Sequence, residues 1–362
     1  MKQIISIAPG RACLFGDHQD YIGLPVIACA INRYIKLTAV ENGLDVFNIK
    51  KPDINKERKI NIYNEISFIQ KGDNIISALK VLRRYGCIPN KGYDILIRGN
   101  LPVNAGISSS SAVVVAWVNF LIEAFGLNIP ITPETISQIA FEAEVLEHGN
   151  PGGKMDQFSI GLGNVLYMET GKHFSYEKIH TSLDGIIIGE SGIPKSTISL
   201  LNELKEKTWL AINNVKANIK DFDIKNAKKE DLKKYLNHLS DKLQPFLVAA
   251  IKNHDITERA LIEFKNEIPD LKKIGALMTE HHNILKNILK ITVPKIDRMI
   301  NEALGDGALG AKIVGSGGGG SIVVISSLKD EQKIIQSILN AGAIDAYKVS
   351  IDSGARIIKN QI

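Results

Sequence analysis

The chain has 362 residues, 44% of them hydrophobic, a formal charge of +5 and three cysteines. That length allows two domains with substantial cores, and the longest apolar runs break well before the roughly 18–20 residues that cross a bilayer, which excludes a membrane span. Basic residues without interleaved aromatics exclude a nucleic-acid groove, and Cys13, Cys29 and Cys87, in no metal-like spacing, fit reduced thiols in a cytoplasmic protein better than disulfides or zinc.

The first hundred residues read mostly as strands: "QIISIAP" (3–9), "RYIKLTAV" (33–40) and "YDILIRGN" (93–100) are short, rich in Ile, Val and Tyr, and bounded by Gly, Pro and Asn. Gly10, Arg11 and Asp17 interrupt the first apolar run too early for a secretory segment. A helix is expected over 74–86, from the Asp73-Asn74 start to Gly86. Another follows four serines in "SSSSAVVVAWVNFLIEAFGL" (108–127), and a third starts at Thr132 with Pro133 and Glu134 in its first turn. Beyond about 175 the pattern becomes long helices, at 196–216, 229–247, 255–268 and 274–287. The lysines densest in 205–234 alternate with acids and apolar residues as on a solvated helical face. Two apolar runs, "AKIVG" and "SIVVI", flank a glycine-rich turn, and a helix (329–342) and a strand (345–352) close the chain. The expectation is an α+β fold of two domains, 1–175 and 176–362.

Three segments carry chemistry. In "LPVNAGISSSSAVVVAW" (101–117) a strand ends, Pro102 and Gly106 shape a loop, and serines open an apolar helix. A helix N-terminus offers unpaired N–H groups to an anion, and hydroxyls of Ser108, Ser109, Ser110 and Ser111 can bond phosphate oxygens or a metal. The segment has no loop lysine and is not a Walker A motif; a helix cap alone would need one serine. In "FEAEVLEHGNPGGKMDQFSIGLG" (141–163), Glu144 is an oxygen ligand of the kind Mg²⁺ accepts, alongside Ser110. Asp156 follows a glycine turn, where it can face a substrate hydroxyl as proton acceptor or simply form the turn. In "APGRACLFGDHQDYIGLPVIA" (8–28), Arg11, Asp17, His18, Asp20 and Tyr21 supply the donors and acceptors a polyhydroxylated ligand needs, and on spacing alone a surface turn suits them equally. The turn "GSGGGG" (315–320) reads as a linker or as a backbone that something approaches closely.

Taken in order, P-G-R…G-D-H-x-D-Y-x-G, L-P-x-x-x-G-I-S-S-S and G-S-G-G-G-G resemble the three motifs of the GHMP kinases, a family that includes galactokinase, homoserine kinase, mevalonate kinase and phosphomevalonate kinase. The resemblance spans about residues 7–325. It implies a ribosomal-protein-S5-like N-terminal domain, a ferredoxin-like C-terminal domain and a site between them, with the glycine turn packed on the phosphate loop. The Gly-Asp-His-Gln-Asp-Tyr-Ile-Gly run (16–23) and Met155-Asp156-Gln157 are most similar to the galactokinase branch. That likeness implies ATP-dependent phosphorylation of a monosaccharide at its anomeric C1 hydroxyl by a monomer or homodimer. Carried over by position, Asp156 is the catalytic aspartate and Arg11 its charged neighbour, while Asp17, His18, Asp20 and Tyr21 bind sugar. Gly106, Ser108 to Ser111, Gly317 and Gly318 surround ATP, and Ser110 and Glu144 hold Mg²⁺. Departures from galactokinase are Asp17 for Glu, Gln19 for Thr, Leu24 for Gly, and "GESGIPKSTISLLNELK" with Asn202 where a sugar-contacting Tyr is usual. They put galactose itself in question and bring in other sugars, a mevalonate-type acid, or a carboxylated sugar met by Lys154 or Lys195. A non-catalytic ATP/sugar sensor and a decarboxylase of the same family are further alternatives.

Overall fold

Two long antiparallel strands, β1 (Gln3–Phe15) and β2 (Val26–Glu41), pair over nearly their whole length. The register shifts between Pro9 and Gly10, so these two residues, expected to end the first strand, form an irregularity inside it. This computed structural model describes residues 3–181, 183–195 and 198–358. A hairpin follows, β3 (Val46–Lys51) and β4 (Lys56–Asn61), and then α1 (Asn74–Arg84), whose N-cap Asp73 accepts from Ile76 N–H as the sequence predicts. Strand β5 (Tyr93–Gly99) lies antiparallel to β2 and parallel to β3.

Helix α2 (Ser109–Phe125) is apolar on nearly every side because it is buried on nearly every side; Trp117 is fully enclosed and donates to the Ile75 carbonyl at 3.1 Å. Then come α3 (Pro133–Phe141), capped by Thr132, a π-helical turn (Glu142–Leu146), and α4 (Met155–Leu162). Strands β6 (Val165–Glu169) and β7 (Ser175–Ile179) complete this part of an eight-stranded sheet.

The second sheet begins with β8 (Ile186–Glu190). Helices α5 (Ile198–Asn218), α6 (Leu232–Leu236), α7 (Gln244–Phe264), α8 (Leu271–Asn287) and α9 (Pro294–Gly305) lead to β9 (Gly310–Val314) and β10 (Ser321–Ile325). After α10 (Glu331–Asn340) and β11 (Asp345–Val349), the sheet order is β11-β8-β10-β9, all antiparallel. With β8 taken as first strand this is the 4-1-3-2 order of the ferredoxin-like split βαβ arrangement. A last strand, β12 (Arg356–Ile358), returns to the first sheet beside β1, pairing Ile5 with Ile358. The cut expected at 175 therefore falls on the first residue of β7, and the chain's end belongs with the first half.

Two helical expectations change. The run 229–247 is not one helix: a 3₁₀ turn and α6 stop before Ser240, and α7 starts afresh at Gln244 with Pro245 in its first turn. Helix α7 then continues without a break through 255–264. The first two residues of the helix expected over 196–216 lie outside the described residues. Helices α7 and α8 fill the space between the sheets: Phe264, Ile274 and Met278 share one core with Phe15 of β1 and Val314 of β9. That shared core fixes the two halves against each other and sets the walls of the site.

Candidate active site

The loop after β5, the N-terminus of α2, the N-terminus of α4 and the bulged strand β1 meet at one carboxylate. Asp156 Oδ1 receives Arg11 Nε and Nη2, each at 2.8 Å, and Asp156 Oδ2 receives the Ser108 hydroxyl at 2.7 Å. Arg11 also donates from Nη1 to the Gly106 carbonyl at 2.6 Å, so one guanidinium ties the aspartate to the phosphate-type loop. Burial pushes the Asp156 carboxyl up, but the Arg11 charge and the Ser108 bond outweigh it and hold the group below the ordinary carboxylate range. Arg11 is 3% exposed, which makes the pair hard for water to screen.

The four serines divide their work. Ser108 sits at φ +60 as the N-cap of α2, yet its hydroxyl serves Asp156 and not the helix. Ser110 Oγ donates to Glu144 Oε1 at 2.7 Å, and Gln157 Nε2 donates to Glu144 Oε2 at 2.7 Å. Ser111 is buried. Ser109 and Ser110 line a cavity of about 930 Å³ that runs between β3, β4, the α1 start and the loop 101–104. Of the four hydroxyls expected around ATP phosphates, that of Ser108 is engaged by Asp156 and that of Ser110 by Glu144.

A second cavity, of about 310 Å³, adjoins the first at Gly72, Asn74 and Ser110. Asp156, Arg11, His18, Asp20 and Tyr21 line it. His18 Nδ1 meets the Tyr21 hydroxyl at 3.2 Å, while its Nε2 is buried without a partner. Burial lowers the imidazole pKa to about 4, leaving a neutral ring. Asp20 is pushed up to about 6, first by burial and then by Asp156. Gly153 lies so close to Asp20 that an added Cβ would stand 2.4 Å from Asp20 Oδ2. The glycine turn before Asp156 thus also admits the sugar-type loop.

Asp17 is placed differently from expectation. It is 2% exposed, with Lys312 Nζ at 2.5 Å and the Gly315 N–H at 3.2 Å. It stands at the edge of the second cavity with its carboxylate already engaged. Its charge lies beside Lys312 of β9. Lys312 was missed in the sequence; its signal was one lysine inside the apolar run "AKIVG", which as a buried strand must find a partner. Gln157 and Asn150, the latter donating to the Glu144 carbonyl at 2.8 Å, were likewise overlooked as supports of Glu144.

The glycine turn is ordered and packs on the phosphate-type loop: an added Cβ on Gly106 would stand 2.5 Å from the Val314 carbonyl, and one on Gly315 2.9 Å from that of Gly106. Gly317 and Gly318, expected around ATP, face away from that contact. Gly317 abuts Ile291, and the Gly318 N–H is used by the Ile291 carbonyl at 2.8 Å. Lys154 also departs from expectation, lying among the rings of Phe141, Phe158 and Phe174 with its ammonium donating to Gln138. Lys195 and Leu201 line the smaller cavity, and Asn202 does not. All three cysteines are free and buried, and no described helix is long and apolar enough to cross a membrane.

Residues 73–164 match the GHMP kinases N terminal domain, residues 247–344 the GHMP kinases C terminal domain, and residues 1–39 the galactokinase galactose-binding signature. A galactokinase from Thermotoga neapolitana is 28% identical over 354 residues, covering 95% of each chain. A mevalonate kinase from Thermococcus sibiricus is 26% identical over 364 residues, covering 98% of each. Among solved structures, Lactococcus lactis galactokinase complexed with galactose superposes with a TM-score of 0.87 at 21% identity, covering 98% of this chain and 95% of that one. Methanococcus jannaschii mevalonate kinase gives 0.73 at 20% identity, covering 97% and 99%. The matched models together cover more than half of the residues, and the chain belongs to the GHMP kinase family.

Proposed function

We propose that the protein transfers the γ-phosphoryl group of ATP to the anomeric C1 hydroxyl of an uncharged monosaccharide. The observation that carries this reading is Asp156, fixed by Arg11 and Ser108 in a small cavity that adjoins a large one. The larger cavity takes the nucleotide, with its phosphates at Ser109, Ser110 and the start of α2. The smaller takes the sugar, with His18 Nε2, Asp20 and Tyr21 available to its hydroxyls.

In the transfer, Asp156 accepts the proton of the sugar hydroxyl, whose oxygen bonds to the γ-phosphorus as the bond to the β–γ bridging oxygen breaks and ADP leaves. An anomeric hydroxyl is more acidic than an ordinary alcohol, so a carboxylate held ionised suffices as acceptor. Arg11 keeps that carboxylate charged and oriented.

Glu144 and Ser110 fit a Mg²⁺ ion. Burial raises the Glu144 carboxyl against the hydrogen bonds of Ser110 and Gln157, and it has no ion pair among the described residues. One buried carboxylate and a hydroxyl suit an ion whose remaining ligands are phosphates and water. Bound there, Mg²⁺ would offset charge on the ATP phosphates.

A neutral sugar is favoured over mevalonate because, of the two cations that line the small cavity, Arg11 is committed and Lys195 has Asp156 and Glu144 as its acidic neighbours. Arg11 is held by Asp156 and Gly106, and Lys312 is buried with Asp17. Asp20 adds a carboxylate that would repel an acid. The test is ADP release with ATP and Mg²⁺ across free hexoses, pentoses, uronic acids and mevalonate. Turnover with one neutral sugar supports the reading; turnover with mevalonate alone overturns it.

A further inference from the structure

Lys195 stands on the short connection between β8 and α5, and this connection is pinned to the site from both sides. Its own N–H donates to the Asn104 carbonyl of the phosphate-type loop at 3.2 Å. Two residues earlier, the Ile193 carbonyl accepts from Gly320 N–H at 2.7 Å, and Ser191 donates its hydroxyl to the Gly320 carbonyl at 2.6 Å. The backbone around Lys195 is thus fixed by the second and third glycine-bearing segments together.

The side chain is partly buried and lines the small cavity, with Asp156, Arg11 and Glu144 as its charged neighbours. Among the described residues it has no hydrogen bond from its ammonium and no ion pair, unlike Arg11 and Lys312. A partly desolvated ammonium with acidic neighbours but no hydrogen-bonded partner keeps an unmet capacity to donate to an arriving anion. Two of its neighbours are the proposed proton acceptor and the metal-type carboxylate, which flank the path of phosphoryl transfer. We propose that Lys195 is a catalytic residue that donates to the oxygens of the γ-phosphoryl group as it passes from ATP to the acceptor. It would complement Arg11, which is already committed to Asp156 and can add little direct contact.

This inference rests on the phosphoryl-transfer reading but not on the identity of the sugar, so a nucleotide measurement separates the two. Dissociation constants for Mg·ADP and for a non-hydrolysable Mg·ATP analogue would be compared in the wild type, Lys195→Met and Lys195→Arg. The methionine variant is expected to lose about tenfold for the triphosphate analogue and less than about twofold for ADP, with the arginine variant recovering most of the difference. In turnover with whichever acceptor the wild type uses, Lys195→Met should lower kcat about a hundredfold with acceptor KM within a few-fold. Its ligand-free thermal midpoint should be unchanged or higher, because a partly desolvated ammonium without a hydrogen-bonded partner has been removed; a structural lysine would lower it. Equal losses for both nucleotides, or none for either, would overturn the assignment. So would a raised KM for acidic acceptors with kcat intact, which would make Lys195 a substrate-carboxylate partner. Absence of turnover by the wild type with every acceptor would count against the sugar-kinase reading while the nucleotide comparison still decides Lys195.

Discussion

Asp156 and Asp20 share one small cavity and are driven to opposite protonation behaviour. Arg11 keeps Asp156 ionised, whereas Asp20 has no ion pair among the described residues, and burial lifts it to about 6. The Asp156→Asn variant keeps the shape and loses the charge. It should reduce kcat by about a thousandfold or more while nucleotide affinity stays within a few-fold. A coupled ADP assay and a nucleotide titration check this, and retention of more than about a tenth of the rate would remove Asp156 from the acceptor role. For Asp20 the sign follows from its raised folded value. The native state holds a proton that the unfolded chain releases, so this group's contribution to stability declines as pH rises from about 4 to about 6. In the proposed sugar site the ionised form of Asp20 would be the acceptor for a sugar hydroxyl, so acceptor KM should rise as pH falls below about 6. Asp20→Asn should flatten that KM profile, raise KM at neutral pH and add of order 1–2 kcal/mol of stability above pH 6, the cost of the ionised carboxyl having gone. A KM profile that keeps its acidic limb in Asp20→Asn would assign the titration to another group.

At the scale of elements, the two glycine-bearing turns interlock. Gly106 has φ +86 and no room for a Cβ beside Val314, whereas Gly317 has φ +86 and meets Ile291 on the far side of the same turn. A left-handed L-residue costs about 1–2 kcal/mol before any clash is counted, so alanine at either position should lower stability in urea. Gly106→Ala should also raise ATP KM about tenfold, since it moves the loop that leads into Ser109 and Ser110 at the start of α2, whereas Gly317→Ala should leave ATP KM nearly unchanged. Equal effects on ATP would mean that Gly317 faces the nucleotide after all. This distinction was invisible in the sequence, where "GSGGGG" is a string of equivalent letters. Helices with side-chain caps were legible, as at Asp73 and Thr132, because the cap is a local bond. The break between α6 and α7 was not, because the 229–247 run keeps a helical spacing and only Pro245 marks the restart. The roles of the serines were also hidden: whether a hydroxyl faces ATP or a buried carboxylate depends on Glu144 and Asp156, which arrive from another segment.

For the molecule as a whole, the Asp17–Lys312 pair joins the loop after β1 to β9 of the second sheet. Lys312 is fully buried and also donates to the Cys13 carbonyl at 2.9 Å. The motif order foretold the two-domain architecture, since each motif carries its own local pattern; nothing local foretold a charge pair linking residues so far apart. Burial alone would push the Asp17 carboxyl up, and Lys312 reverses this and holds it below the ordinary range. The stability it contributes is therefore present at neutral pH and is lost as acid protonates it. Removing one partner leaves the other charge buried, so Lys312→Met should cost about 3–5 kcal/mol, whereas a pair replaced by apolar groups is often neutral. The double variant Asp17→Leu with Lys312→Met should therefore recover most of the loss in urea unfolding, although Asp17 is also bonded to Gly315 N–H and that bond is not replaced. If the pair serves chiefly to set the small cavity against the phosphate-type loop, the double variant will regain stability while kcat stays low, because the glycine turn has lost its tie to the first sheet. Recovery of both together would mean that packing between α7, α8 and the two sheets is enough to align the site.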